Sequence, residues 1–210
     1  MKITNLTLQK KSNRFNIFLN DEFFIGTTYQ VVLDLNLTIG KELTSKEIEY
    51  LKLETEKSNA LESALNYLSR RVHSEKELSQ KLAGKKYPVN AISFALSKCK
   101  EYGYLNDYEF AKAFIHDKQI FRKDGAQKIK SALFSKGVSK EIMNELFSEM
   151  DNEEELERAT ELCKRKMSSL QSLQKNKQYE RLVRYLVSKG FSYEITNKVI
   201  KNTLGGVTND

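Results

Sequence analysis

Hydrophobic positions divide the chain into a short part that alternates and a long part that is helical. In the first part, apolar or alternating runs at residues 3–8, 15–19 and 23–27 are rich in Phe, Ile and Thr, which is typical of strands. Asn20-Asp21, between the second and third runs, fits a tight turn. The pattern therefore predicts a small antiparallel sheet.

From Thr44 onward, apolar residues recur at helical spacing. Thr44 and Glu47 have the spacing of a capping box, which predicts a helix start. This helix is expected to run past residue 70, and its later part has an apolar stripe formed by Leu61, Ala64, Leu65, Leu68 and Val72. Residues 29–39, which precede it, fit a helix and a strand equally well, and we expect Gly40 to end whichever they form.

A ten-residue pattern occurs twice in the helical part. Residues 133–142 and 186–195 both contain Leu, Ser-Lys-Gly, an apolar residue, Ser and Glu-Ile in the same register, 53 residues apart. A looser copy lies at residues 82–88. Self-similarity at a period near 50 residues is typical of repeat proteins, in which one supersecondary unit stacks on the next.

The repeated pattern has the composition of a corner between two helices. We expect Gly137 and Gly190 to adopt the left-handed conformation that ends a helix, and Ser139 and Ser192 to cap the next one. The looser copy has Lys86 in place of the glycine. We interpret these corners as architecture and not as binding sites.

The predicted fold is therefore mainly α: tandem three-helix repeats in an elongated array, with a small N-terminal antiparallel β element. The expected domains are a β-rich domain at 1–44, a long helix with the first repeat at 45–105, a second repeat at 106–150 and a third at 151–210.

Composition and motifs argue against catalysis. Cys99 and Cys163 have no partner at zinc or redox spacing, and we expect both to be buried thiols. His73 and His116 fit a turn residue and a surface helix residue. The sequence has no recognisable nucleophile with its base and no glycine loop for phosphate, so we predict a protein that is no enzyme and needs neither cofactor nor metal. It has no apolar run of membrane-spanning length and no signal peptide, which predicts a cytoplasmic protein without membrane contact.

The net charge of +7 is concentrated in three windows. Residues 69–86 sum to +4, residues 118–136 to +5 and residues 164–189 to +7, so the remainder of the chain is acidic. Each window lies at an equivalent place in its repeat. This phase suggests a basic stripe along the array, which suits a phosphate backbone or an acidic protein surface, although solvated helix faces would have the same composition.

Helical spacing assigns the charges of these windows to faces. In the last repeat we expect a buried stripe of Tyr179, Leu182, Val183 and Leu186. Lys177, Arg181 and Arg184 then fall on the solvent side. In the middle repeat Ala126, Ile129 and Leu133 face inward, and Lys128 and Lys130 face outward. No aromatic stacking platform is visible, so base-specific recognition is not predicted.

Several segments resemble the RecX family of regulatory proteins. The segment at 67–78, with Lys81-Leu82 after it, is similar to the family's opening signature, and Gly103-Tyr104-Leu105-Asn106-Asp107 is similar to the next motif. Lys123-Asp124-Gly125 and Lys136-Gly137-Val138 follow in the family's order. Asn106 departs from the pattern, since an acidic residue is usual there.

The resemblance implies a non-catalytic modulator that lies along the groove of the RecA–DNA filament. It would inhibit filament growth, ATP hydrolysis and strand exchange, and so act in recombination, DNA repair and the SOS response. It further implies weak, non-specific binding to single- and double-stranded DNA, and a monomer suffices for such an array. The expected binding residues are Arg70, Arg71, Lys81, Lys85, Lys128, Lys130, Lys177, Arg181 and Arg184. Two alternatives stay open: a sequence-independent DNA-binding protein that competes for single strands, and a helical adaptor for another protein.

Overall fold

The computed structural model describes residues 1–10 and 14–205. In these ranges it has a three-stranded sheet and ten helices. The elements are β1 (Ile3–Leu8), β2 (Arg14–Leu19), β3 (Glu22–Thr28), α1 (Tyr29–Asp34), α2 (Ser45–Leu68), α3 (Glu75–Gly84), α4 (Val89–Glu101), α5 (Asp107–Arg122), α6 (Ala126–Ser135), α7 (Lys140–Ser148), α8 (Asn152–Ser168), α9 (Lys175–Lys189) and α10 (Tyr193–Gly205). The chain forms two compact units, which meet in sequence between Asn106 and Asp107. Residues 11–13, inside the predicted β-rich domain, and residues 206–210, at the end of the predicted third repeat, lie outside the described residues.

The sheet is antiparallel in the order β1-β2-β3, as the alternation predicts. Ile17 in the central strand pairs with Leu6 on one side and Ile25 on the other. The turn between β2 and β3 consists of Asn20 and Asp21, with φ of 50° and 70°. Both residue types tolerate the left-handed region, which is why this dipeptide closes the hairpin.

The ambiguous segment after the sheet forms a short helix. Thr28 caps α1 by accepting a hydrogen bond from the Val31 amide, and the helix ends at Asp34. The expectation that Gly40 would end this element is wrong. Asn36, at φ 45°, already supplies the left-handed residue after the helix.

Helix α2 connects the sheet to the first repeat. It starts at the predicted capping box, in which Glu47 accepts from the Thr44 amide at 2.8 Å, and it ends at Leu68. This end is earlier than the sequence suggested. Leu51, on the first half, packs in the core under the sheet with Ile3 and Ile17, whereas Ala60 and Ala64, on the second half, pack in the core of α3 and α4. One helix thus belongs to two hydrophobic cores.

Three helical repeats follow, each with its own apolar cluster. The first contains the second half of α2 with α3 and α4, the second α5–α7, and the third α8–α10. The predicted fold class, mainly helical with three-helix repeats and a small antiparallel sheet, is confirmed.

The corners between helices have the predicted geometry. Gly137 and Gly190 have φ of 84° and 92°, and Ser139 caps α7 by accepting from the Ile142 amide. Lys86 adopts the same left-handed conformation, at φ 64°, although it has a side chain.

The N-terminus of α6 is held by the third repeat. The amide of Gly125 donates to Lys189 O at 2.8 Å, that of Ala126 to Glu155 Oε1 at 2.8 Å, and that of Gln127 to Gly190 O at 3.0 Å. These are amides that a helix cannot satisfy internally. We call this set of hydrogen bonds the α6 junction. It joins the second repeat to the third.

Candidate partner-binding surface

Two of the cations predicted in the first repeat lie over one tyrosine. Lys81 Nζ lies 4.9 Å and Lys85 Nζ 5.3 Å from the centre of the Tyr67 ring. Arg71 is 3.2 Å from the Glu77 carboxylate, whereas Arg70 is exposed and has no ion pair among the described residues. The four cations predicted in this repeat are therefore surface groups, and Arg71 is partly neutralised.

His73 lies beside these cations but is buried. Its Nδ1 is 3.5 Å from Glu77 Oε2. Burial lowers the pKa of His73, and the nearby Arg71 lowers it further, although Glu77 opposes them. The imidazole is therefore neutral near pH 7 and adds no charge to this surface. His73 lies in the connection between α2 and α3, as predicted, whereas its burial could not be predicted from the sequence.

The two lysines predicted in the second repeat have internal partners. Lys128 Nζ is 2.9 Å from the buried Asp124 carboxylate, and Lys130 Nζ lies 4.6 Å from the centre of the Phe147 ring. Both side chains remain exposed on α6 while Ile129 and Leu133 are buried, as the spacing predicts. Lys128 partly serves to balance a buried acid.

In the third repeat, Lys177, Arg181 and Arg184 are exposed along α9, as predicted, and have no ion pair among the described residues. The predicted buried stripe is wrong at one position, since Tyr179 is exposed and Gln178 is buried in its place. Gln178 Nε2 donates to Leu173 O at 2.7 Å, inside the loop that precedes α9. A polar side chain that ties down backbone carbonyls can occupy an inner position, which apolar periodicity does not anticipate.

A basic pocket of about 340 Å³ lies where the second and third repeats meet. Its cationic lining residues are Arg122, Lys123, Lys128, Arg165 and Lys189, with Asp124, Phe121 and Leu162 completing the wall. Lys123 pairs with Glu161, and Lys189 Nζ donates to Arg122 O at 3.4 Å. Within the described ranges, Arg122 and Arg165 have no ion pair.

Sequence reasoning missed four of these five cations. They lie in the basic windows at 118–136 and 164–189, but only Lys128 was assigned to the binding surface. These four could not be predicted because the sequence does not reveal the α6 junction, which brings α5, α6, α8 and the end of α9 together. A concave site with several converging cations is suited to anionic groups, such as phosphates or carboxylates, because the positive potentials add.

Both cysteines are buried, as the sequence predicts. Burial raises the pKa of both Cys99 and Cys163, which keeps these thiols protonated and unreactive. Among the described residues there is no cluster of His, Cys, Asp or Glu that could hold a metal ion. None of the helices within those residues combines the length and the apolar character that crossing a membrane requires.

Comparison with known families gives four matches in chain order. The model of the regulatory protein RecX N-terminal domain matches residues 1–44. The first, second and third RecX three-helix domains match residues 60–99, 106–146 and 153–200. Together these models account for most of the chain.

Individual relatives agree with the family models. The regulatory protein RecX of Clostridium beijerinckii is 32% identical over 210 residues, covering 97% of this chain and 96% of that protein. That of Clostridioides difficile is 32% identical over 203 residues, covering 96% and 95%. The crystal structure of a regulatory protein RecX has a TM-score of 0.80 at 21% identity, covering 94% of this chain and 98% of its own. RecX from Lactobacillus salivarius has a TM-score of 0.65 at 23% identity, covering 70% and 96%. These two structures show the same fold.

Proposed function

The chain belongs to the RecX family of regulatory proteins, and from this membership we propose that it binds the RecA–DNA filament and inhibits its growth, ATP hydrolysis and strand exchange. The protein would modulate recombination and DNA repair in the cytoplasm, as a monomer and without catalysis of its own. We further propose that the domains are those predicted from the sequence: 1–44, 45–105, 106–150 and 151–210.

Family membership carries this proposal, and the basic pocket is the structural feature that supports it. A filament of recombinase on DNA presents phosphates and acidic side chains, and both are attracted to a pocket in which cations outnumber acids. Arg122 and Arg165 are the best contact residues in it, because neither is neutralised by a carboxylate among the described residues. Arginine is also suited to phosphate and carboxylate geometry through bidentate hydrogen bonds.

The other proposed binding residues act mainly through charge. Arg70, Lys81 and Lys85 in the first repeat and Lys177, Arg181 and Arg184 in the third are exposed. Exposed cations of this kind raise the rate of encounter with an anionic partner more than they raise affinity. Arg71 and Lys128 contribute less, since each is already paired with a carboxylate. Lys130, like Lys81 and Lys85, lies over an aromatic ring and keeps its charge.

The same pocket favours a second candidate function. A concave basic site accommodates a DNA phosphate without any contribution from a recombinase, so a sequence-independent DNA-binding protein would have it too. Such a protein would affect recombination by occupying the single strand. The two functions differ in what is bound: the filament in one, naked DNA in the other.

Charge reversal tests the role of the pocket. The variant Arg122→Glu/Arg165→Glu would be compared with Lys10→Glu/Lys46→Glu, which makes the same change in net charge at exposed lysines outside the pocket. Binding to RecA filaments on single-stranded DNA, and to the DNA alone, is measured by anisotropy over a range of salt concentrations.

We expect the pocket variant to bind filaments more weakly than the control. If the pocket binds phosphate, the salt slope of the variant should also be flatter, by about 0.7 for each phosphate that it no longer neutralises. Equal binding by the two variants would remove the pocket from the mechanism. Loss of binding to naked DNA with unchanged binding to filaments would show that the pocket does not serve the filament.

A further inference from the structure

The basic pocket has an exposed aromatic ring on its wall, beside the cations. Phe121, in the last turn of α5, lines the pocket and is 79% exposed. Arg122, the next residue, and Arg165 on α8 line the same pocket. Its volume of about 340 Å³ lies in the range of small-molecule sites, roughly 300–1,000 Å³. An exposed ring presents a flat face on which a planar group can stack.

The positive charge of the pocket is concentrated around one cavity. Five cations line it, and two of them have a carboxylate partner: Lys128 pairs with Asp124, and Lys123 pairs with Glu161. Five positive charges less these two acids leave +3. A nucleoside di- or triphosphate carries about three to four negative charges on one connected group, because its terminal phosphate alone has about −1.5 to −2. A DNA strand has only one charge per roughly 3.4 Å of helix axis and spreads the same charge over a longer stretch.

A further arginine on α8 adds to this charge. Arg158 lies within about 20° of Arg165 on the helical wheel, two turns nearer the start of the helix. Its Nε and Nη2 atoms are buried and have no hydrogen-bond acceptor among the described residues, and its Nη1 is 3.5 Å from Glu154. A guanidinium that is buried and incompletely paired raises the positive potential of the strip on which it lies.

The loop between α5 and α6 is fixed by contacts with three helices. Lys189 Nζ, at the end of α9, donates to Arg122 O at 3.4 Å, and the Asp124 amide donates to Lys118 O at 3.1 Å. The Asp124 carboxylate is buried and lies 2.9 Å from Lys128 Nζ on α6. A wall that is fixed before binding loses little conformational freedom when a ligand arrives. The pocket is therefore partly organised without a ligand.

We propose that the basic pocket binds a free nucleoside di- or triphosphate, with the base stacked on Phe121 and the phosphates on Arg122 and Arg165. This ligand uses both features of the pocket, because its base has a face that stacks and its phosphates bring a compact charge. Inorganic polyphosphate would satisfy the cations and leave the ring unused. A bound nucleotide would exclude other phosphates from the pocket and so regulate its use as a binding surface. The proposal goes beyond the proposed function and does not depend on it.

The test separates stacking, compact charge and strand binding with three ligands. Isothermal titration calorimetry on the full chain measures binding of ATP, of inorganic tripolyphosphate and of a thymidine tetranucleotide, whose charges are spread along a strand. Phe121→Leu removes the ring, and Phe134→Leu removes a ring on α6 that is 62% exposed and lies outside the pocket. Arg122→Gln/Arg165→Gln removes two cations, and Lys10→Gln/Lys46→Gln makes the same change in net charge elsewhere. Circular dichroism checks that each variant is folded.

Wild type should bind ATP at least about 5-fold more tightly than tripolyphosphate, which is the low end for one stacked base. Phe121→Leu should lose this preference, whereas Phe134→Leu should keep it. Arg122→Gln/Arg165→Gln should weaken ATP binding by at least about 10-fold, as expected for the loss of one charge-assisted hydrogen bond, and Lys10→Gln/Lys46→Gln should weaken it much less. ATP should also bind more tightly than the tetranucleotide.

Absence of ATP binding would overturn the proposal, and so would an undiminished preference for ATP in Phe121→Leu. Equal or tighter binding of tripolyphosphate would overturn it by showing a site for anions in general. A tetranucleotide that binds as tightly as ATP would overturn it in favour of a site for the DNA backbone. RecA is absent from these titrations, so their failure leaves the proposed function intact, and loss of filament binding in its own assay leaves the nucleotide site intact.

Discussion

Replacing Gly190 with alanine should break the α6 junction. A Cβ atom at this position would lie 2.3 Å from Lys128 Cβ and 2.6 Å from Lys128 N. The backbone of α6 therefore occupies the space in which a side chain would begin, and no rotamer change can clear it. The residue also has φ +92°, which L-residues with a side chain rarely adopt.

The loss in the free energy of unfolding can be estimated by adding the interactions that the new methyl group disrupts to the conformational cost of the residue. Left-handed backbone costs a residue with a Cβ roughly 1–2 kcal/mol. Moving α6 away breaks the hydrogen bonds from Gly125 N to Lys189 O and from Gln127 N to Gly190 O. Each of these contributes about 1 kcal/mol. We therefore expect Gly190→Ala to destabilise the unit from Asp107 onward by about 3–4 kcal/mol.

Gly103→Ala is the matched control. Gly103 has φ +74° and open space around its Cβ position, so it incurs only the conformational cost. Thermal and urea unfolding measure both variants. The two variants should differ by about 2 kcal/mol. For a unit of about 100 residues each kcal/mol lowers the melting temperature by roughly 4–8 °C, so the fall should be about 8–16 °C larger for Gly190→Ala than for Gly103→Ala. Equal melting temperatures would refute the reasoning, because they would mean that the close approach of Gly190 to α6 has no energetic consequence.

Three other variants or conditions have defined outcomes. Glu155→Ala leaves the Ala126 amide without its acceptor and should destabilise by about 1–3 kcal/mol in urea unfolding, whereas Glu155→Gln keeps an oxygen there and should lose less; equal losses would argue against this hydrogen bond. The pKa of His73 is lower in the folded state than in the unfolded chain, so the free energy of unfolding should decrease as the pH falls below about 6.5, where the unfolded chain binds a proton that the folded protein does not. An NMR titration of the two histidines that gave His73 a pKa at or above about 6.5 would contradict this. Arg181→Glu/Arg184→Glu should weaken DNA binding and flatten its salt slope, and an unchanged slope would exclude both residues from phosphate binding.

Local patterns predicted the parts of the fold that local chemistry determines. The capping box at Thr44, the turn at Asn20-Asp21 and the corners at Gly137 and Gly190 each depend on a few adjacent residues, and the structure has all of them as expected. Repetition of the corner pattern then identified the repeats. Short-range rules suffice for such features because the same groups form them in any context.

The candidate site depended on long-range packing and was predicted only in part. Exposed cations on α9 follow from helical spacing alone. The basic pocket instead requires α8 and the end of α9 to pack against α6. One of the hydrogen bonds that hold them together is accepted by Glu155, which the sequence does not distinguish from the other acids in the first turn of α8. Tyr179 was assigned to the core because periodicity favours an aromatic over Gln178 at an inner position. Gln178 is buried instead, because its side-chain amide donates hydrogen bonds to backbone carbonyls of the preceding loop.

The central claim is that this chain acts on the RecA filament itself, and ATP hydrolysis by preformed filaments tests it most directly. RecA is assembled on single-stranded DNA, with DNA in excess, and the protein is titrated in. We predict that the ATPase rate falls at well below one molecule of protein per RecA. A fall only when the protein is abundant enough to coat the DNA would favour competition for the strand. No fall at any dose would contradict the account.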